Sequence, residues 1–224
     1  MIRNVVLCSY ESTFRIMRAS HTKTDALRRL ARRGPIRSRD LDDAGIPRAY
    51  LARLVRRGEL EQAARGLYRR VDADVTELNS LAEVSLRVPH ATVCLLSALQ
   101  VHGLTTEVPH AVWIMIDTRA RAPKLDTPAI EVVRAHGDAL VHGVERRKIA
   151  GVSVNLTTPA KTVADCFRYR RHVGIDVALA ALRGFLERAR RRGHRADETI
   201  DALVAAARVT RVSTVVRPYL EVLA

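Results

Sequence analysis

Apolar residues first fall into a regular rhythm at Thr24. In "TKTDALRRLARRG", Ala26, Leu27, Leu30 and Ala31 recur at three- and four-residue spacing, which predicts a short helix with Thr24 as N-cap and Gly34 as its stop. "PIRSRDLDDAGI" follows, with Ser38 as a second N-cap, Leu41 and Ala44 facing inward and Gly45 permitting a tight turn. "PRAYLARLVRRG" predicts a third helix, opened by Pro47 and closed by Gly58. Three short helices, the last two joined by a glycine turn, make a helix-turn-helix pattern. "ELEQAARGLYRR" then offers two strand-like pieces around Arg65-Gly66, the hairpin expected of a wing. Residues 23–70 therefore read as a winged helix-turn-helix domain. Residues 1–22 fit neither a clean helix nor a clean strand and are expected as an N-terminal arm, with Met17 as a second candidate for the start of translation.

Residues 71–224 change character. A helical stretch runs from Asp72 to Leu86, and "PHATVCLLSALQVHG" reads as a helix stopped by Gly103. Four β-rich runs come next, Ala111 to Asp117, Ala129 to Ala135, Gly143 to Ile149 and Val152 to Thr157, separated by Pro, Gly or charged breaks. Helical patterns return in "PAKTVADCFRY", "DVALAALRGFLERARRR", "DETIDALVAAAR" and "VSTVVRPYLEVLA". The expected fold class is α+β: the N-terminal reader followed by a mixed α/β domain with a small sheet and several helices.

Charge sharpens this picture. The 224 residues carry 38 Lys and Arg against 24 Asp and Glu, for a net +14. By position the excess is local: Arg18 to Arg70 holds 15 basic and 6 acidic residues, net +9, whereas Val71 to Ala224 holds 21 and 17, net +4. A genome-wide preference for arginine codons would not concentrate the charge in one segment, so a polyanionic partner for that segment is the better reading. Six of these arginines lie between Ala49 and Arg70, over an apolar rhythm at Leu51, Leu54, Val55, Leu60 and Leu67.

A helical wheel at about 100° per residue separates the two patterns. With Leu51, Leu54 and Val55 toward the core, the opposite side carries Ala49, Arg53 and Arg56, flanked by Arg48, Ala52 and Arg57. One helix fits the major groove of duplex DNA, where arginine reads guanine and alanine touches a thymine methyl. Arg53 and Arg56 are expected at bases, Arg48 and Tyr50 near the backbone. Ser38 and Arg39 at the second helix, Ala49 and Arg57 on the third, and Arg65 and Arg69 on the hairpin complete the expected DNA-binding set. A solvated arginine face used for protein contacts is the competing reading. One such reader buries little surface, so two copies on an inverted repeat are expected, from a chain that is a monomer in solution or a dimer on DNA.

Candidate chemistry is sparse. Cys8, Cys94 and Cys166 form no CxxC pair, and the eight histidines are scattered, so neither a metal site nor a cofactor is expected. Nothing reads as a Walker A, GxGxxG or GxSxG stretch. Asp117 and Glu131 at strand ends resemble the carboxylate pair of a nuclease, but Val133 stands where the usual lysine would follow, leaving only Arg134 nearby. No catalytic residue is expected, and a nuclease with a winged-helix reader is the alternative. Lys161 and Asp165, at i and i+4, read as an ion pair. Arg183 to Arg195 forms a second basic cluster. Without an export signal or an apolar run long enough for a bilayer, the expected location is the cytoplasm.

The run "RSRDLDDAGIPRAYLARLVRRGELEQAARGLYRR" resembles the N-terminal winged helix of AbiEi-type antitoxins. "ATVCLLSALQVHGL" and "LTTPAKTVADCFRYR" are similar to family-typical pieces of their C-terminal domain. Pro47 departs from the pattern, standing where such proteins often place a Ser or Thr cap. The resemblance implies a type IV toxin–antitoxin system. Its winged helix represses its own operon, its C-terminal half supplies antitoxic activity, and it opposes a nucleotidyltransferase-like toxin without a stable complex. A plain winged-helix transcriptional regulator is the reduced form of this reading.

Overall fold

The computed structural model describes residues 23–64, 66–72, 77–191 and 196–223; the expected N-terminal arm lies outside them. The chain divides between Asn79 and Ser80 into two compact units.

In the N-terminal unit, α1 (23–32) buries Leu27 and Ala31. Thr24 sits inside the first turn and is itself buried, so it is not the cap. The helix packs on Ile36, Leu41, Ile46, Leu51, Leu54 and Leu60, which together form one small core. β1 (Ile36–Arg37) leads directly into α2 (Ser38–Asp43). Gly45 takes φ +62° there, and the amides of Gly45 and Ile46 donate to the carbonyls of Asp42 and Leu41 at 3.1 and 2.8 Å. This paired closure, with Ile46 packed as the apolar residue after the glycine, is a Schellman turn. It aims the chain into α3 (Ala49–Arg56). Pro47 precedes the helix instead of opening it: its carbonyl accepts from the Tyr50 amide at 3.0 Å, and Arg48 is the N-cap.

The same device ends α3. Gly58 at φ +68° donates to Val55 O and Glu59 to Leu54 O, both at 3.0 Å. β2 (Leu60–Ala64) and β3 (Leu67–Arg70) then pair antiparallel across Gly66, with a register shift between Gln62 and Ala64. β1 adds to the other edge of β3, giving the order β1-β3-β2. The pattern predicted the hairpin but not β1, whose two residues are too few to show a period.

The second unit contains α4 (Glu77–Arg87) from Ser80 onward, β4 (Thr92–Val93), α5 (Leu95–His102), β5 (Val112–Asp117), β6 (Ile130–Ala135), α6 (Asp138–Val141), β7 (Val144–Ile149) and β8 (Val152–Thr157). After these come α7 (Pro159–Arg168), α8 (Arg170–Val173), α9 (Ile175–Arg191), α10 (Ala196–Val209) and α11 (Ser213–Leu223). The sheet is mixed, in the order β6-β5-β4-β8-β7; β5 and β6 are parallel, as are β4 and β8, and the other two pairings are antiparallel. Mixed α and β structure was expected, and the four longer strands fall where the alternating pattern put them. The single helix expected from Pro89 to Gly103 is corrected: Thr92 and Val93 leave it to form the central strand. Both are buried between β5 and β8, and that pairing outweighs helical periodicity.

Each face of this sheet has its own core. One joins Trp113, Met115, Val133 and Ala135 to α7, α9, α10 and α11; the other joins Ile114, Ile116, Val154 and Leu156 to Leu81 and Val84 of α4. Thr158 caps α7, accepting from the Lys161 amide at 3.4 Å.

Candidate nucleic-acid interface

The exposed face of α3 is built by exclusion. Leu51 and Leu54 are buried and Val55 partly so, which leaves Ala49, Ala52, Arg56 and Arg57 on the outside, with Arg53 half-buried between them. This is the division the helical wheel predicted. Tyr50 packs its ring against the core of the unit. The Arg53 guanidinium stacks over that ring at 5.0 Å from its centroid, an attraction between cation and π-face that limits the side chain's rotamers.

Ion pairing decides how much of the charge is available. Arg28 on α1 donates to both carboxylate oxygens of Glu59 at 2.8 and 2.9 Å and to Asp25 at 3.1 Å, tying α1 to the end of α3. That hydrogen bonding lowers the Glu59 carboxyl below its usual range. Arg70 pairs with Asp72 in the same way, lowering that carboxyl too. Arg69 donates to its cross-strand neighbour Glu61 at 2.5 Å. Arg48 donates to Asp42 at 2.6 Å, and this contact holds its guanidinium more firmly protonated. Five of the unit's acids are thereby engaged away from the middle of α3. Among the described residues Arg39, Arg53, Arg56 and Arg57 have no salt bridge.

The expected site residues thus fall into groups. Ala49, Arg53 and Arg56 lie on α3 and Arg57 is its C-cap, with Tyr50 beneath Arg53 and Arg48 at the helix entry, neutralised by Asp42. Arg39 is exposed on α2. Ser38 is the first residue of α2, not its cap: its amide donates to Gly66 O at 2.8 Å and its hydroxyl to the same oxygen at 3.4 Å, so it fastens α2 to the hairpin turn. The cap is Arg37, whose amide donates to Asp40 Oδ2 at 2.7 Å. Burial raises the Asp40 carboxyl, opposed by Arg39. Arg69 lies on β3 with Glu61, while Arg65 lies outside the described residues.

One residue escaped the sequence reading. Arg37 pairs with Leu67 across the β1–β3 register, and its buried Nε has no hydrogen-bond partner among the described residues. A second arginine immediately before Ser38 was the available signal, hidden because β1 itself was not legible.

In the second unit the two candidate carboxylates do not converge. Register places Asp117 opposite Ala135 and Glu131 opposite Trp113. The two carboxyl-bearing positions therefore sit four residues apart along parallel strands, ~13 Å, too far for two acids to share one metal ion. Asp117 instead accepts from the Arg119 amide at 2.7 Å. Among the described residues no group of three His, Cys, Asp or Glu converges as a metal site, and no helix is long and apolar enough to cross a membrane. The second basic cluster is partly spent on backbone: Arg188 donates to the carbonyls of His102 and Gly103, and Arg190 to Leu223 O.

Lys161 and Asp165 do form the expected ion pair, but inside the unit. Nζ reaches both carboxylate oxygens at 2.5 Å and both residues have no measurable exposure. Burial pushes the Asp165 carboxyl up to about 6 against the pull of Lys161. Burial also raises the thiols of Cys94 and Cys166, which are inert as nucleophiles in that form.

No curated protein matches the chain. Residues 25–71, which hold the three helices, the hairpin and the cationic face of α3, match the family model described as transcriptional regulator, AbiEi antitoxin, and over that segment the chain is similar to this family.

Proposed function

We propose that the N-terminal unit is a winged helix-turn-helix that binds duplex DNA, with α3 in the major groove and the β2–β3 hairpin as the wing. The observation that carries this reading is the free cationic face: Arg53, Arg56 and Arg57 on one side of a helix whose neighbouring acids are engaged elsewhere. Arg53, held over Tyr50, suits a base edge, and Arg56 lies one turn away on the same face. Arg48 exchanges Asp42 for a phosphate on binding, and Arg39, Arg57 and Arg69 follow the backbone. The site is an inverted repeat upstream of the protein's own gene, bound by two copies.

The full proposal is a type IV antitoxin that represses its own operon. The second unit, from Ser80 onward, carries the opposition to a nucleotidyltransferase-like toxin without a stable complex, and the protein works in the cytoplasm with no cofactor and no catalytic step of its own. A promoter–reporter assay beside co-expression with the toxin tests the division of labour. Arg53→Ala with Arg56→Ala abolishes repression and keeps rescue, because these side chains leave the unit's core untouched. Loss of both activities together in variants that keep their circular dichroism would refute it.

A further inference from the structure

A cavity of about 410 Å³ opens in the N-terminal unit on the Leu54 side of α3, away from its exposed face. α1 contributes Arg28, Ala31 and Arg32 to it, α3 and the turn after it contribute Leu54 and Gly58, and the base of the hairpin contributes Leu60 and Arg70. The floor is apolar, since Ala31, Leu54 and Leu60 are buried members of the unit's core. Val71, 54% exposed, adds an apolar lip, and its amide is fixed by donating to Glu59 O at 3.3 Å. Arg53, Arg56 and Arg57 do not line this space, so it is separate from the face proposed to meet DNA.

Charge at the rim does not balance. Arg28, Arg32 and Arg70 stand against two carboxylates, Glu59 and Asp72. Arg28 is engaged by both oxygens of Glu59, and Arg70 Nε donates to Asp72 Oδ1 at 2.8 Å. Arg32 is exposed and makes no hydrogen bond or salt bridge with a described residue, acting on Asp72 only through space. One positive charge is therefore left over beside an apolar floor. The volume lies within the range of small-molecule sites, about 300–1,000 Å³. A neutral apolar guest leaves Arg32 to water, and a small hydrated anion gains nothing from the floor. A guest with an apolar body and one anionic group uses both.

We propose that this cavity is an effector site for a small apolar carboxylate; its regulatory part rests on the proposed role of the unit in DNA binding. The carboxylate pairs with the fork of the Arg32 guanidinium, and the apolar body covers Leu54 and Leu60. Such a guest touches α1, the end of α3 and the base of the hairpin at once. It also cancels one positive charge on the unit whose positive potential draws the duplex, so it weakens operator binding, most at low salt. By linkage, the operator weakens binding of the guest by the same factor.

The probe is 2-naphthoate, titrated into the full chain without DNA and followed by NMR at the amides of Gly58, Leu60 and Val71. Two controls divide the guest: 2-naphthylmethanol keeps the rings without the charge, and acetate keeps the charge without the rings. Each binds at least about tenfold more weakly than naphthoate. Arg32→Gln, at an exposed position that leaves the core intact, lowers naphthoate affinity roughly tenfold and does not change that of the alcohol. Naphthoate affinity unchanged by Arg32→Gln, or shifts confined to residues outside the cavity, overturns the inference. A second titration adds the duplex upstream of the gene. Saturating naphthoate lowers operator affinity about fivefold at low salt in the parent and leaves it unchanged in Arg32→Gln. Naphthoate binding with no change in operator affinity overturns the regulatory role. A chain that fails to bind the duplex at all overturns the N-terminal reading, while the DNA-free titration still decides the site.

Discussion

Arg53 lies over the ring of Tyr50, 5.0 Å from guanidinium carbon to ring centroid, on a helix whose other face is the core of the unit. The tyrosine thereby orders an arginine before anything is bound. Replacing Tyr50 with Leu keeps apolar bulk against the core but removes the stacking platform. The expected result is a loss of roughly 0.5–1 kcal/mol in specific DNA affinity with little change in the salt dependence, since no phosphate contact is removed. Isothermal titration of the operator with the Leu variant checks this.

Lys161 and Asp165 have to be changed together. Both are fully buried on one turn of α7, and Gly143, at φ +62°, stands so close that an added Cβ would lie 2.8 Å from the Lys161 Cβ. Asp165→Asn strands a buried ammonium and costs about 3–5 kcal/mol. Lys161→Met with Asp165→Leu removes both charges and is expected to lie within about 2 kcal/mol of the parent. Chemical denaturation of the three proteins measures the contrast.

His102 gives the second unit a pH dependence of known sign. Its Nε2 meets Thr157 O at 2.7 Å, so the neutral ring donates there, and burial lowers its pKa against the pull of that carbonyl and of Glu145, with Arg147 and Arg188 also disfavouring the cation. The unfolded chain takes up the proton first as pH falls through about 6.5, so this residue's contribution is fully present above that value and declines as the solution is acidified toward the folded pKa. His102→Gln, whose amide can donate to the same carbonyl, flattens that part of the stability profile. Residue-resolved NMR titration of the imidazole is expected to show an ionisation below that of an exposed histidine.

What could be read from the sequence follows from how much local physics each feature carries. Gly45, Gly58 and Gly103 mark real helix ends because a left-handed closure selects glycine wherever it occurs. The face of α3 was legible because eight residues of helix give the wheel enough turns. β1 and β4 were not, since two residues have no period and both strands exist only through pairing with distant partners. Lys161 and Asp165 read as an ion pair from their spacing, but their burial was not legible, because spacing along a helix says nothing of what packs over it. The pairing of Arg48 with Asp42 and Arg69 with Glu61, which separates engaged arginines from free ones, depends on side-chain geometry that no spacing rule encodes.

The central claim, that the α3 face reads duplex DNA, is tested most directly by equilibrium binding of the full chain to the duplex upstream of its gene across a range of salt, for the parent and for Arg53→Ala. The parent's affinity should fall by ~0.9 log unit per log unit of salt for each phosphate contacted. Arg53→Ala should lose roughly 1–3 kcal/mol, with specificity relaxed at one base position in each half-site. Parent-like affinity and sequence preference in a folded Arg53→Ala protein would contradict the account.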